Sequence, residues 1–180
     1  MLKMEVYEPV EDSEFFAEFL RKYLSKSKKN LKYLDVGTGS GILALVGLEV
    51  LPKENVFACD INEEAVKRAS KKGIPAFSSN LFSNVSGKFD LITFNAPYLP
   101  RDSREPEDSQ VATTGGERGD EISLRFLKDA KKHLNSNGKI LLLISSLTPM
   151  NRIEKFGGKV VARLKIFLEE LIILEFQKNH

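Results

Sequence analysis

An apolar run over residues 31–36 leads straight into Asp35-Val36-Gly37-Thr38-Gly39-Ser40-Gly41, and a helical pattern starts behind it and stops at Pro52. A glycine turn wedged between a strand and a helix narrows the fold more than any other feature of the chain. Glycine accepts positive φ, and its lack of a side chain lets the backbone pass close to a ligand. The same unit follows at once. Residues 56–60 are apolar and end in Asp60, and Asn62 is placed to cap a helix that carries Ala65, Val66 and Ala69 towards Gly73. Residues 74–79, 90–95 and 139–145 read as further strands, and residues 120–134 as a helix closed by Asn135-Ser136-Asn137-Gly138. Ahead of the glycine turn, residues 13–24 set Phe15, Phe16, Phe19, Leu20 and Tyr23 at helical spacing.

Strands alternating with helices predict an α/β fold with a doubly wound, mostly parallel sheet and a ligand at the carboxyl ends of its strands. The last forty residues break the rhythm. Residues 160–167 and 170–176 are strand-like with too little chain between them for a crossover helix, so an antiparallel hairpin is expected there. Seven strands result. Residues 100–117 are polar, hold Gly115 and Gly116, and follow a strand end, which predicts a mobile active-site loop with Gly115, Gly116 and Gly119 as its hinge.

Composition excludes several classes. A chain of 180 residues fits one domain, and 42% hydrophobic with 29% charged residues is ordinary globular usage. The longest apolar stretches fall far short of the roughly 20 residues that cross a bilayer. Residues 1–5 show neither an apolar h-region nor a cleavage site, so a cytoplasmic location is expected. A lone cysteine, Cys59, argues against a disulfide or a thiolate metal site, and no metal is expected. His133 and His180 read as surface residues. A net charge of +2 does not suggest a polyanion partner; the run Arg21, Lys22, Lys26, Lys28, Lys29, Lys32 reads as a solvated helix end and loop.

The spacing Gly37-x-Gly39-x-Gly41 is shorter than a dinucleotide fingerprint and lacks the Lys-Ser/Thr of a phosphate-binding loop. Asp60, at the end of the next strand, suits both hydroxyls of a ribose, a pairing shared by NAD and S-adenosylmethionine sites. Asn80 follows the third strand, where it could meet an adenine edge with Leu81 or Phe82 over the ring. The fourth strand delivers Asn95-Ala96-Pro97-Tyr98 to the same sheet edge as the glycine turn. An amide or exocyclic amino nitrogen conjugates its lone pair into a π system and is a poor nucleophile, so methylating it depends on positioning. The Asn95 side-chain oxygen and the Ala96 carbonyl can each accept one N–H, the Tyr98 ring can pack on the planar acceptor, and Pro97 stiffens the turn. Two such acceptors also stabilise the positive charge that grows on the nitrogen.

Four segments resemble the HemK-type glutamine methyltransferases, whose fold is the Rossmann-like one of class I methyltransferases. They are Val6-Tyr7-Glu8-Pro9-Val10-Glu11-Asp12-Ser13, Leu34 to Gly41, Asp60-Ile61-Asn62 with Ala65, and Phe94-Asn95-Ala96-Pro97-Tyr98. The first is similar to the archaeal and eukaryotic branch. The resemblance implies S-adenosylmethionine as cofactor and, as substrate, the glutamine of the Gly-Gly-Gln tip of a class I translation release factor. It places cofactor contacts on Glu11, Asp12, Ser13, Gly37, Thr38, Gly39 and Asp60, and acceptor contacts on Asn95, Pro97 and Tyr98; Asp35, Ile61, Asn80, Leu81 and Asn95 complete the expected cofactor site, and Ala96 the acceptor site. It also implies a small zinc-binding activator protein, for which the third strand offers an edge. The chain departs from the family pattern at Ala96, usually proline, and at Asn80, usually an acid. The alternatives are methylation of an exocyclic nitrogen of adenine or guanine in DNA or RNA, and a non-catalytic cofactor-binding subunit.

Overall fold

The computed structural model describes residues 11–101, 113–167 and 169–178. Its strands are β1 (Tyr33–Val36), β2 (Val56–Asp60), β3 (Ala76–Ser78), β4 (Phe89–Asn95), β5 (Leu134–Ser145), β6 (Lys159–Lys165) and β7 (Glu170–Gln177). They form one sheet in the order β3-β2-β1-β4-β5-β7-β6. The first five in chain order pair in parallel, while β7 lies antiparallel to both β5 and β6. The α/β class, the doubly wound seven-stranded sheet and the terminal antiparallel hairpin all match the sequence reading.

Helices cover both faces. On one lie α1 (Glu11–Ser25), α2 (Ile42–Val50) and α3 (Glu63–Lys71), which bury Phe16, Leu20, Leu24, Leu43, Val46 and Ala69 against the sheet. On the other lie α4 (Glu121–Ala130) and α5 (Met150–Ile153), with Phe126, Leu127, Ala130 and Ile153 inward. The parallel strands are buried on both sides, which is why the middle of β4 and the second half of β5 are mostly apolar. In α1 the spacing Phe16, Leu20, Leu24 gives the buried stripe, with Phe15, Phe19 and Tyr23 only partly covered. Glu11, Asp12 and Glu14 in its first turn complement the helix dipole. The Asn62 cap of α3 is made: its side-chain oxygen accepts the Glu64 N–H at 3.0 Å.

Two elements differ from their sequence expectations. The helix ends at Ala130, not near Leu134, and a single 3-10 turn over Lys131–His133 leads directly into β5. The Asn135-Ser136-Asn137-Gly138 segment therefore lies inside a strand. Between the pairs Phe89↔Leu134 and Leu91↔Lys139 the register shifts, so the extra residues form a bulge. Asn135 helps to hold it by donating to Asp90 Oδ1 at 2.7 Å. The turn chemistry was legible, but tertiary pairing used it to bend a strand. The third strand shortens to Ala76–Ser78, since Pro75 has no N–H to give the ladder.

The topology places the site. β1 pairs with β2 on one side and β4 on the other, so the order of the sheet reverses at β1 and β4. A crevice opens at the carboxyl ends of strands at such a switch point. Val36 lies opposite Phe94, which sets Gly37 beside Asn95.

Candidate active site

The glycine turn begins at the end of β1. Gly37 and Gly41 have φ of 63° and 84°. A Cβ on Gly37 would stand 2.8 Å from the Phe94 ring, and one on Gly41 would stand 2.9 Å from Ile74 Cδ1, so neither position admits another residue without movement. Beneath the turn lies a polar network inside the sheet. Asp35 accepts from Thr38 Oγ1 at 2.7 Å and from Thr93 Oγ1 at 2.8 Å, and the Tyr33 hydroxyl meets Thr93 Oγ1 at 2.7 Å. Burial pushes the Asp35 carboxyl up to about 7, against the pull of the two threonine hydroxyls. Asp35 thus shapes the turn from below, and it is not among the residues that line the crevice.

Asp60 closes the turn from the side. One of its oxygens accepts the Gly39 N–H and the other the Asn62 N–H, both at 2.8 Å. Burial raises its pKa, opposed by those backbone hydrogen bonds. The Ile61 backbone also contributes a hydrogen bond, and the carboxylate retains acceptor capacity beyond these bonds for a ligand. Next to it, Ile61 is half exposed, an apolar surface open beside the acid.

The crevice itself is a cleft of about 280 Å³ bounded by Asp12, Ser13, Gly37, Thr38, Gly39 and the whole of Asn95-Ala96-Pro97-Tyr98, with Ser40, Ile42, Leu43, Phe94, Leu99 and Thr113 completing it. Asn95 ends β4. Its Nδ2 donates to Ser13 Oγ at 3.0 Å and to Asp12 Oδ2 at 3.4 Å. Its Oδ1 is buried and has no hydrogen-bond partner among the described residues. An acceptor left without a donor is costly, and in native structures it calls for an explanation. Burial, then the carboxylates of Asp12 and Glu169, push the Tyr98 phenol above its ordinary value, and Tyr98 also hydrogen-bonds Asp12.

Behind this segment, backbone bonds hold the chain as it leaves the site. Leu99 N–H donates to Thr113 at 3.0 Å, Gly115 N–H to Leu99 at 2.9 Å and Arg101 N–H to Gly116 at 3.0 Å. A Cβ on Gly115 would stand 2.6 Å from the Pro97 carbonyl oxygen. Gly115 and Gly119 therefore serve close packing of backbone on backbone, and the two ends of the expected mobile loop are tied to each other. Residues 102–112 of that loop lie outside the described residues, as do residues 6–10 of the N-terminal motif and His180.

The sequence-predicted residues divide into groups. Asp12, Ser13, Gly37, Thr38, Gly39 and Asn95 to Tyr98 share the cleft; Glu11 is exposed at the start of α1. Asp60 and Ile61 stand beside the turn. Asn80 and Leu81 line a second, open groove with Phe82, Arg125 and His133. There Asn80 is exposed and its oxygen takes a 3.4 Å hydrogen bond from Arg125. Leu81 holds a φ of 51°, and its carbonyl accepts from Ser79 Oγ at 2.8 Å and from the Cys59 thiol at 3.7 Å. His133 lies at the surface as expected, part-exposed, with its ring stacked on Phe82 at a centroid distance of 4.8 Å. Half of the basic run is occupied locally, with Arg21 on Glu49 at 2.8 Å, Lys22 on Glu18 at 2.6 Å and Lys32 over the rings of Phe57 and Phe89.

Sequence reasoning missed Thr93 and Glu169. Thr93 carried a signal, a hydroxyl in an otherwise apolar strand. Glu169 carried none: it lies in the β6–β7 turn, where buried Ser145 donates to its carboxylate.

Residues 12–167 match the family profile described as the methyltransferase small domain. A Methanocaldococcus jannaschii protein, named provisionally as a protein N5-glutamine methyltransferase, is 38% identical over 96% of this chain and 92% of its own length. The release factor glutamine methyltransferase of Streptococcus pneumoniae is 34% identical over 64% of this chain and 46% of its own, so the chain spans about half of that relative. The ribosomal RNA small subunit methyltransferase C of Klebsiella pneumoniae is 31% identical over 76% of this chain and 39% of its own. Among solved structures, a methyltransferase of Pyrococcus furiosus superposes with a TM-score of 0.69 at 24% identity, covering 97% of this chain and 88% of that one. A Thermus thermophilus 16S rRNA N2 methyltransferase, solved with AdoMet and guanosine, gives 0.66 at 18%, covering 94% of this chain and 44% of that one.

Proposed function

Because the chain belongs to the methyltransferase small domain family, we propose that it methylates the amide nitrogen of the glutamine in the Gly-Gly-Gln motif of a class I translation release factor. It is a methyltransferase, and its cofactor is S-adenosylmethionine. The residues present suit that cofactor: Gly37 and Gly39 leave the cleft wall bare of side chains, and Asp60 stands beside them with lone pairs to spare for a ribose. When bound, the cofactor supplies an electrophilic methyl group on a sulfonium.

The observation that carries the proposal is Asn95 Oδ1, buried without a hydrogen-bond partner among the described residues. A planar carboxamide or amino group brings the N–H it lacks. In the proposed reaction Asn95 Oδ1 accepts one N–H of the acceptor and the Ala96 carbonyl the other, and the Tyr98 ring covers its plane. The nitrogen is thereby oriented before reaction, the charge that develops on it as the methyl arrives meets two oxygen dipoles, and one of its two N–H protons then leaves to solvent. Ala96 is buried and contributes through its backbone, so the loss of a proline there leaves the accepting group in place.

The ribosomal RNA relative gives a second reading, in which the same acceptors grip a base nitrogen. The lining of the cleft favours a peptide: among the described residues it includes the Asp12 carboxylate and no Lys or Arg to meet a phosphate. The test is transfer of labelled methyl from S-adenosylmethionine to purified release factor, to a Gly-Gly-Gln peptide and to oligonucleotides, for the wild type and Asn95→Ala. Label in the factor and peptide that disappears with Asn95→Ala is the expected result; label in the oligonucleotide alone refutes the glutamine assignment. The proposed activator would add at the free edge of β3, and the assay is run with and without it.

A further inference from the structure

The first residues of α1 reach across the sheet end to touch Asn95, and this contact has a chemical polarity. A carboxamide presents an oxygen and an NH₂ that are nearly equal in shape and opposite in function. For Asn95 to accept an N–H from a substrate, its oxygen must be left unpaired and its NH₂ must be held by the protein. Turned by 180°, the same side chain offers a donor to a donor, and the planar nitrogen has nothing to hold it.

The surroundings of Asn95 Nδ2 decide between the two. Asp12 Oδ2 lies at 3.4 Å and Ser13 Oγ at 3.0 Å. A carboxylate accepts and does not donate, so a flipped Asn95 would set its oxygen against the oxygen of Asp12. Both residues are themselves fixed and buried. Asp12 is 5% exposed and Ser13 is 3% exposed, and the other Asp12 oxygen accepts the Ser13 backbone N–H at 2.6 Å. Asp12 also hydrogen-bonds Tyr98, the other side chain assigned to the acceptor. One carboxylate thus contacts both acceptor groups.

We propose that Asp12, assisted by Ser13, is a positioning residue that locks the Asn95 carboxamide with Oδ1 towards the acceptor. This differs from a direct cofactor contact, the role that the family resemblance implies for the same two residues. It rests on the proposed function only for the identity of the acceptor; the lock itself is a property of the protein without substrate.

The discriminating variant is Asp12→Asn, which keeps the shape but supplies an NH₂ that can bond a flipped Asn95 oxygen. Three quantities are read on the full chain. The first is kcat for methyl transfer to a Gly-Gly-Gln peptide at saturating cofactor. The second is the Kd of S-adenosylhomocysteine by calorimetry. The third is the pair of carboxamide N–H resonances of Asn95 in ¹⁵N-labelled protein without peptide, assigned by their loss in Asn95→Asp. The expected result is a kcat lowered by roughly 10–100-fold, as for loss of a hydrogen bond to a charged group, a product Kd within about twofold of wild type, and displaced carboxamide resonances. Unmoved resonances, or a weakened product Kd with kcat intact, overturn the proposal and return Asp12 to the cofactor. If Asp12→Asn does not fold, Ser13→Ala is read the same way: it should displace the resonances and lower kcat by less, and unmoved resonances again overturn the lock. Should the wild type transfer nothing to the peptide while the resonances still move, the glutamine assignment falls and the lock stands.

Discussion

The carboxylate of Asp60 accepts the backbone N–H of Gly39 at 2.8 Å, joining the acid at the end of β2 to the glycine turn at the end of β1 across 21 residues of chain. The two features that point to a cofactor therefore form one structural unit, and a change in either moves both. Asp60→Ala removes the proposed ribose acceptor together with the strut under Gly39. We expect the Kd for S-adenosylhomocysteine to rise by about 10–100-fold, as for loss of hydrogen bonds to a charged group. Calorimetry checks this, and a Kd within twofold of wild type removes Asp60 from the cofactor site.

Asp35 gives a pH dependence with a definite sign. Its folded-state pKa lies at about 7, above the ordinary value of 3.8, chiefly through burial. Between those values the native state holds a proton that the unfolded chain has released. Stability therefore falls as pH rises from about 4 to about 7 and levels off above that. The size of the effect is at most about 4 kcal/mol. Asp35→Asn should flatten this limb, so the difference between the denaturation curves of wild type and variant should shrink towards acid pH and grow towards pH 7 and above. A difference independent of pH would show that Asp35 titrates normally.

Gly115 tests whether the seat behind the acceptor segment matters. In Gly115→Ala the new Cβ meets the Gly119 and Pro97 carbonyl oxygens, backbone atoms that cannot turn away. We expect about 1–3 kcal/mol of destabilisation, in the range of overpacking. Transfer activity should fall further than the melting temperature alone explains, because Pro97 is one of the two residues that the new Cβ presses on. Methyl transfer measured well below the melting temperature separates the two effects.

Arg152 is the cation for a fully buried acid. Its Nη1 lies 2.9 Å from Asp120 Oδ1, and Asp120 Oδ2 has no partner among the described residues. Arg152→Met leaves that carboxylate without a cation and should cost about 3 kcal/mol. Adding Asp120→Asn should recover part of the loss. A double-mutant cycle by chemical denaturation measures the coupling.

Sequence and structure agree where a signal is local. The strand–turn–helix units, the positive-φ glycines and Asp60 at a strand end all follow from hydrophobic period and turn chemistry within about ten residues, so they were readable in order along the chain. The place of Asn95-Ala96-Pro97-Tyr98 at the end of the fourth strand, on the same sheet edge as the glycine turn, was legible in the same way, and the structure sets the segment in the cleft with Gly37, Thr38 and Gly39. The alternation of elements then determined the α/β class, and the short link between the last two runs determined the hairpin.

What only the tertiary structure decided is which side chains meet. Asp12 and Asn95 lie 83 residues apart, and their contact depends on how α1 crosses the end of β4. Ser145 and Glu169 meet because β7 lies against β5, a pairing that no local pattern specifies. The bulge in β5 likewise arose from register with β4, which turned an apparent helix stop into strand. Short-range propensity sets what each segment can become. The hydrogen bonds that orient a carboxamide depend on register and packing across the sheet, and these exist only once the chain has folded.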